Sequence, residues 1–306
     1  MPVKTSYPVS ERLNRGAACS RPGSSAKRLA VVGAGKMGRA IALTLSCPDA
    51  APELAPGAAG LMTGSLKSTA AADEFELIGP LRRDQWLEVA SGNPPATRPL
   101  GAADAVLLCV PDGEISKAAS LIGPGPMVGH CSGACGLEVL SGHDAFSLHP
   151  LMTVTADATA GVFTGAGAAI DGSSTRAREF AGQLARKLSL TPVRIAAEDR
   201  SAYHAGASMA SNFLITLEAV AEQLAATAGV EREALAPLVR TTVENWLRLG
   251  ARQSLTGPLA RGDELTVERQ REAVAARTPA FLPLFDALVN ATRTLLADHS
   301  GTNVSG

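Results

Sequence analysis

The segment Tyr203-His204-Ala205-Gly206-Ala207-Ser208-Met209-Ala210-Ser211-Asn212 sets His204, Ser208 and Asn212 four positions apart. On a helix this spacing stacks an imidazole, a hydroxyl and an amide along one stripe. The imidazole can exchange a proton near neutral pH, and the hydroxyl and amide can hold the reacting oxygen or a neighbouring carboxylate. A polar seam between packed helices would show the same spacing. A second proton-transfer candidate is His149, where Pro150 fixes the chain just after the imidazole. Both histidines stand as candidates for one role.

A glycine-rich turn lies far upstream, in Gly33-Ala34-Gly35-Lys36-Met37-Gly38. An apolar strand precedes it and a helical pattern follows, the context in which such glycines cradle a pyrophosphate on a helix N-terminus. The end of the next strand selects the cofactor. Arg82 and Arg83 suit the 2′-phosphate of NADP, whereas Asp73 or Glu74 would serve NAD if the strand ended earlier. NADP is the expected cofactor and NAD the alternative. Val110-Pro111-Asp112 closes a buried strand, where its backbone can line the path towards the nicotinamide. Ser132, in His130-Cys131-Ser132-Gly133, can bind a substrate oxygen or satisfy its own backbone.

Another polar constellation is Leu255-Thr256-Gly257-Pro258-Leu259-Ala260-Arg261-Gly262-Asp263. Arg261 offers a planar fork for a carboxylate, Thr256 is a further substrate contact, and Asp263 caps the next helix. A rigid connection between helices is the plainer explanation.

These groups need a scaffold. Apolar runs at 27–32, 75–79, 103–110, 127–130, 145–149, 166–171 and 192–196 read as strands, with a helix over 174–188. Strands alternating with helices imply an α/β fold, a Rossmann-type doubly wound and mostly parallel sheet. Beyond about residue 197 the pattern is helical, over 199–228, 231–250 and 264–298, an all-helical C-terminal domain. The expected organisation is a disordered extension over 1–26, a dinucleotide-binding domain over 27–197 and a helical substrate and dimerisation domain over 198–306. Residues 47–74, rich in Ala, Pro and Gly, read as an insertion in the first crossover.

Composition narrows the function. A net charge of −1 and 4% aromatic residues argue against nucleic acid as a partner. No apolar run is long enough to span a membrane. Five cysteines at spacings that fit no zinc pattern read as reduced thiols of a cytoplasmic protein, and no metal site is expected.

Taken in order, Gly33–Gly38, His130-Cys131-Ser132-Gly133, Ser147-Leu148-His149-Pro150-Leu151, Tyr203–Asn212 and Leu255–Asp263 resemble bacterial Rossmann-like proteins whose C-terminal helical domain has no assigned function. The resemblance covers roughly residues 27–298 and extends to the 6-phosphogluconate dehydrogenase-like superfamily. Ketopantoate reductases in that superfamily carry a lysine and two asparagines at four-residue spacing, which would fall on His204, Ser208 and Asn212. Lysine is absent here, so a histidine would be the acid. Prephenate dehydrogenases carry a catalytic histidine before a proline, which would fall on His149. The resemblance also implies a homodimer formed through the helical domain, with Arg261 near either site. The expected activity is an NADP-dependent oxidoreductase passing a hydride from NADPH to a small 2-oxo acid, in the manner of ketopantoate reductase. Prephenate-type dehydrogenation, pyrroline-carboxylate-type imine reduction and a non-catalytic NADP(H) sensor are the alternatives.

Overall fold

A computed structural model of the chain describes residues 26–47, 75–90 and 103–297. The expected extension, apart from Ala26, and the insertion, apart from Cys47, lie outside the described residues, as do Asp73 and Glu74. The chain divides into two compact units, one ending at Ala207 and the other beginning at Ser208.

In the first unit, seven strands form one sheet: β1 (Lys27–Val32), β2 (Phe75–Leu81), β3 (Ala105–Leu108), β4 (Met127–His130), β5 (Ala145–Pro150), β6 (Gly167–Gly172) and β7 (Thr191–Arg194). Their spatial order is β2-β1-β3-β4-β5-β6-β7. All neighbours are parallel except β5 and β6. This is the expected Rossmann-type, mostly parallel sheet. The chain leaves β2 and crosses back over β1 to make β3. The crevice between the carboxyl ends of β1 and β3 is therefore the topological switch point, where ligands bind in open sheets of this kind.

Alternate residues of each strand serve opposite faces. Leu29, Val31, Leu107, Phe146 and Leu148 pack on one side with Ile41 and Leu45 of α1 (Lys36–Ser46) and Phe180 and Leu184 of α4 (Thr175–Lys187). Phe180 meets Phe146 edge-on at 5.2 Å between ring centres. On the other side Ala30, Val32, Val106, Leu108 and Val128 pack with Trp86 of α2 (Arg83–Ala90) and with Ile115 and Ala118 of α3 (Ile115–Ala119). The apolar positions of α4 recur as Ala177, Phe180, Ala181, Leu184 and Ala185, a single helical face, and the Ser174 hydroxyl caps it by accepting from Ala177 N at 3.0 Å.

The connection from β7 leads into α5 (Arg200–Ser208). The second unit is helical: a π turn over Met209–Phe213, then α6 (Leu214–Ala226), α7 (Arg232–Ser254), α8 (Glu264–Arg277) and α9 (Leu282–Ala297). Three expectations need adjustment. The helix expected over 199–228 is interrupted by the π turn. The one expected over 264–298 breaks at a 3₁₀ turn, Pro279–Phe281, where proline denies the helix an amide. The segment ending at Gly250 continues to Ser254 across a kink at that glycine, whose φ is +75°. Asp263 caps α8 as expected, through Thr266 N at 3.1 Å. Arg271 ties α8 to α9 through a two-pronged ion pair with Asp286, at 2.8 and 3.0 Å. None of the described helices is long and apolar enough to cross a membrane.

Two glycine substitutions test the packing with opposite signs. A methyl group at Gly129 would overlap the Phe146 ring, so Gly129→Ala should lower unfolding free energy by about 1–3 kcal/mol. Gly182 lies inside α4, where a Cβ meets only ordinary contacts, the nearest at 3.5 Å, so Gly182→Ala should raise it by about 0.5–1 kcal/mol. Urea denaturation measures both.

Candidate functional site

The carboxyl edge of the sheet collects the groups expected to do chemistry. At the end of β1, Gly33 has φ +107°, and its backbone lies so close to the Cys109 carbonyl that no Cβ would fit. Its amide donates to Leu81 O at 2.9 Å, which brings the end of β2 beside the turn. Gly38, in the first turn of α1, lies closer still to the Gly33 carbonyl. Gly35 is different, for nothing lies within 4 Å of where its Cβ would stand. The helix it starts has no side-chain cap and no acidic residue in its first turn. Two glycines thus close the turn on the sheet, and the third leaves open space beside uncapped amides. Lys36 is exposed there, and Ala34 and Met37 are half-buried. A pyrophosphate fits this cradle in charge and in space.

Arg82 and Arg83 follow directly after β2, at the same edge. Both are exposed; Arg82 pairs with Asp84 at 3.4 Å and Arg83 with Glu114 at 3.8 Å. Because β2 begins at Phe75, Asp73 and Glu74 precede the strand and do not end it. After β3, Val110 and Pro111 lead into a 3₁₀ turn that starts at Asp112. Cys109 and Cys131, at the ends of β3 and β4, hold their sulfurs 3.6 Å apart as free thiols. The contact with Cys109, together with burial, pushes the Cys131 thiol well above its usual range.

His130, the last residue of β4, is buried. Its Nδ1 accepts from Ser132 N at 3.2 Å, and its Nε2 lies 3.0 Å from Gly136 O. Both contacts suit the neutral ring that donates from Nε2. Burial holds its pKa below 6.5. Ser132 is buried, and its Oγ accepts from Ala134 N at 3.2 Å and Cys135 N at 3.0 Å. Its oxygen therefore closes the loop, the plainer of its two expected uses.

Gly133 lies in this loop. A Cβ on Gly133 would lie 2.6 Å from the His204 ring and 2.8–2.9 Å from the His149 ring. The two expected histidines thus come together over one glycine, with ring centres 6.0 Å apart. Tyr203, one residue before His204, places its hydroxyl 2.7 Å from His149 Nδ1. Burial pushes the His149 pKa down to about 4 from 6.5, and its charge interactions with His204 and Arg200 push the same way. Burial raises the Tyr203 phenol above 10.0. At neutral pH the pair is a neutral imidazole and a neutral phenol sharing one hydrogen bond. The unshared nitrogen of His149, Nε2, faces Gly133.

Arg200 completes the group, and nothing in the sequence pattern singled it out. It starts α5, so Arg200, Tyr203 and His204 share a helix face at positions i, i+3 and i+4. It is 4% exposed and donates from Nη2 to Ser147 Oγ at 3.1 Å. Ser147 and His149 lie on the same face of β5.

Other expected site residues belong to the second unit. Ser208 ends α5, and Asn212 falls within the π turn, whose backbone repeat is wider than the α-helical one, so the α-helical stripe does not continue unbroken past Ser208. Arg261 is exposed and donates to the Thr256 carbonyl at 2.6 Å, so its fork is partly occupied by its own loop. The Thr256 hydroxyl takes no part in that contact.

Residues 166–292 match the family described as Domain of unknown function (DUF2520). No curated protein matches the chain. Among solved structures, a Bacteroides fragilis protein proposed to be an NADP oxidoreductase is 18% identical, with a TM-score of 0.63 over 88% of this chain and 98% of that one. A Thermotoga maritima protein is 21% identical, with a TM-score of 0.63 over 88% and 98%. A reductive aminase from Aspergillus terreus, in complex with NADPH and ethyl-5-oxohexanoate, is 14% identical, with a TM-score of 0.54 over 88% and 95%. These likenesses establish the fold shared with such proteins: a Rossmann-type sheet followed by a helical region.

The depressed pKa of His149 has a measurable consequence. The folded protein binds that proton less tightly than the unfolded chain, so stability present above pH 6.5 is lost as pH falls through about 4. With allowance for partial exposure the loss is about 2 kcal/mol. Urea titrations at pH 7 and pH 4 should show His149→Gln losing less stability than the parent over that interval. Equal losses would show that His149 does not carry this term.

Proposed function

We propose that the protein is an NADP-dependent oxidoreductase that reduces the carbonyl of a small 2-oxo acid. The observation that carries this reading is the joint presence, on one sheet edge, of an open-backed glycine turn and a His149–Tyr203–His204 cluster. The fold is shared with a reductive aminase solved with NADPH, which supports the choice of cofactor.

Gly33–Gly38 and the N-terminus of α1 would hold the pyrophosphate. Arg82 and Arg83 would hold the 2′-phosphate, and Val110, Pro111 and Asp112 would line the route towards the nicotinamide. Bound there, NADPH supplies a hydride to the carbonyl carbon. The developing negative charge on the carbonyl oxygen must then be neutralised by a proton. His149 is neutral at pH 7, so the proton passes from His204 in this reading. His149, aligned by Tyr203, hydrogen-bonds to the oxygen. Gly133 keeps the space between the two rings free of a side chain. Ser208, Asn212, Thr256 and Arg261 remain candidates for further substrate contacts from the helical unit. Ketopantoate is the first 2-oxo acid to test, and an imine is the nearest alternative substrate, because reductive aminases share the fold.

A homodimer belongs to the same reading. The second unit leaves Met209, Phe213, Ile215, Leu238, Trp246 and Leu247 exposed, apolar surface that a second copy would bury. Sedimentation should give a dimer for the parent and a shift towards monomer for Ile215→Glu. A monomeric parent would remove the dimer.

NADPH should raise the melting temperature more than NADH, and Arg82→Ala with Arg83→Ala should abolish that difference. NADPH at a hundred times its dissociation constant stabilises by about 2.7 kcal/mol. His204→Ala should lower turnover about 10²–10⁴-fold while leaving the NADPH shift intact. Binding of NADPH without turnover of any oxo acid or imine would favour a sensor. No shift with NADPH, NADP⁺, NADH or NAD⁺ would overturn the oxidoreductase reading.

A further inference from the structure

Arg200 carries its guanidinium charge into the interior and, among the described residues, meets no counter-charge. It is 4% exposed. Among the described residues its side chain makes one hydrogen bond, from Nη2 to the neutral Ser147 hydroxyl at 3.1 Å, and no carboxylate lies within ion-pairing distance. Its Nε is buried without any partner. A guanidinium has five N–H donors, and buried charges are normally paired. By contrast, Arg271, which is far more exposed, has a complete carboxylate partner in Asp286.

Its place in the fold says what the missing partner is. Arg200 lies one helical turn before Tyr203 and His204, and Ser147, which it contacts, lies two residues before His149 on the same strand face. The positive charge is felt at His149, His130 and Tyr203. Arg200 is therefore part of the histidine cluster. It is separated from the Gly33–Gly38 turn by β3 and β4, which lie between β1 and β5 in the sheet. An anion met here is consequently not the pyrophosphate held at that turn.

We propose that Arg200 is the anion-binding residue of the site, and that its ligand is the carboxylate of the substrate. This rests on the oxo-acid reading above and assigns to Arg200 the role first expected of Arg261. The guanidinium fork takes the carboxylate, which sets the adjacent carbonyl beside His149 and His204. Neutral ketones and esters lack the group that the buried charge requires, so discrimination against them originates at this residue.

The test uses the full chain with 2-oxoisovalerate and its methyl ester as probes. Binding is followed calorimetrically, with and without NADPH, and reduction is followed by NADPH absorbance. The parent should bind the acid at least tenfold more tightly than the ester. Arg200→Gln should weaken acid binding about 10- to 100-fold and leave the ester unchanged, and Arg200→Lys should restore part of the loss. If Arg200→Gln fails to fold, the acid-to-ester ratio of the parent still decides. Equal binding of acid and ester, undiminished acid binding by Arg200→Gln, or binding of neither probe would overturn the assignment. The NADPH thermal shift is read separately: its absence sinks the oxidoreductase reading, whereas acid binding without NADPH would leave the anion site standing.

Discussion

The contact between the Gly33 backbone and the Cys109 carbonyl is the constraint on which the sheet edge depends. It seats the first turn against the end of β3, and Gly38 seats α1 against that turn in the same way. Neither position has room for a side chain. Because the turn is held flat on the sheet, the amides at the start of α1 open towards the edge and are not buried under their own loop. The end of β2 is fixed by the same arrangement, through the Gly33 amide and the Leu81 carbonyl. One close approach of backbone to backbone thus aligns the cradle with the Arg82–Arg83 pair.

The histidine cluster is organised by burial and repulsion, and among the described residues no carboxylate pairs with its rings. Asp112 is exposed and acts on His149 and His130 only at a distance. His204 and Arg200 both disfavour a charge on His149. The result separates two imidazoles that the sequence left equivalent. His149 is kept neutral at pH 7 and tethered to Tyr203, whereas His204 stands on α5 beside the same glycine.

Much of this was legible beforehand. Strand β4 matches its apolar run, and the glycine turn stands where the strand–glycine–helix pattern placed it, because both signals are local. Strand β3 is shorter than its run of apolar residues, since Ala103 and Val110 flank a ladder that ends at Leu108. The π turn at Met209–Phe213 was hidden because apolar periodicity does not register one extra residue per turn. The break before Pro279 was available in the proline itself. The pairing of His149 with Tyr203 joins residues 54 apart, and the burial of Arg200 depends on β5 passing over the start of α5. No spacing rule reaches either. The four-residue stripe through His204 runs towards the C-terminus, whereas the groups of the first unit that share its helix face, Tyr203 and Arg200, lie towards the N-terminus.

The buried ring of His130 closes the loop that carries Gly133. The link is a lone pair on Nδ1, offered to the amide of Ser132. A proton taken up there turns an acceptor into a donor facing a donor. The backbone beneath the two imidazoles of the cluster is therefore held by a third, and acid strong enough to protonate that buried ring would loosen the loop from below.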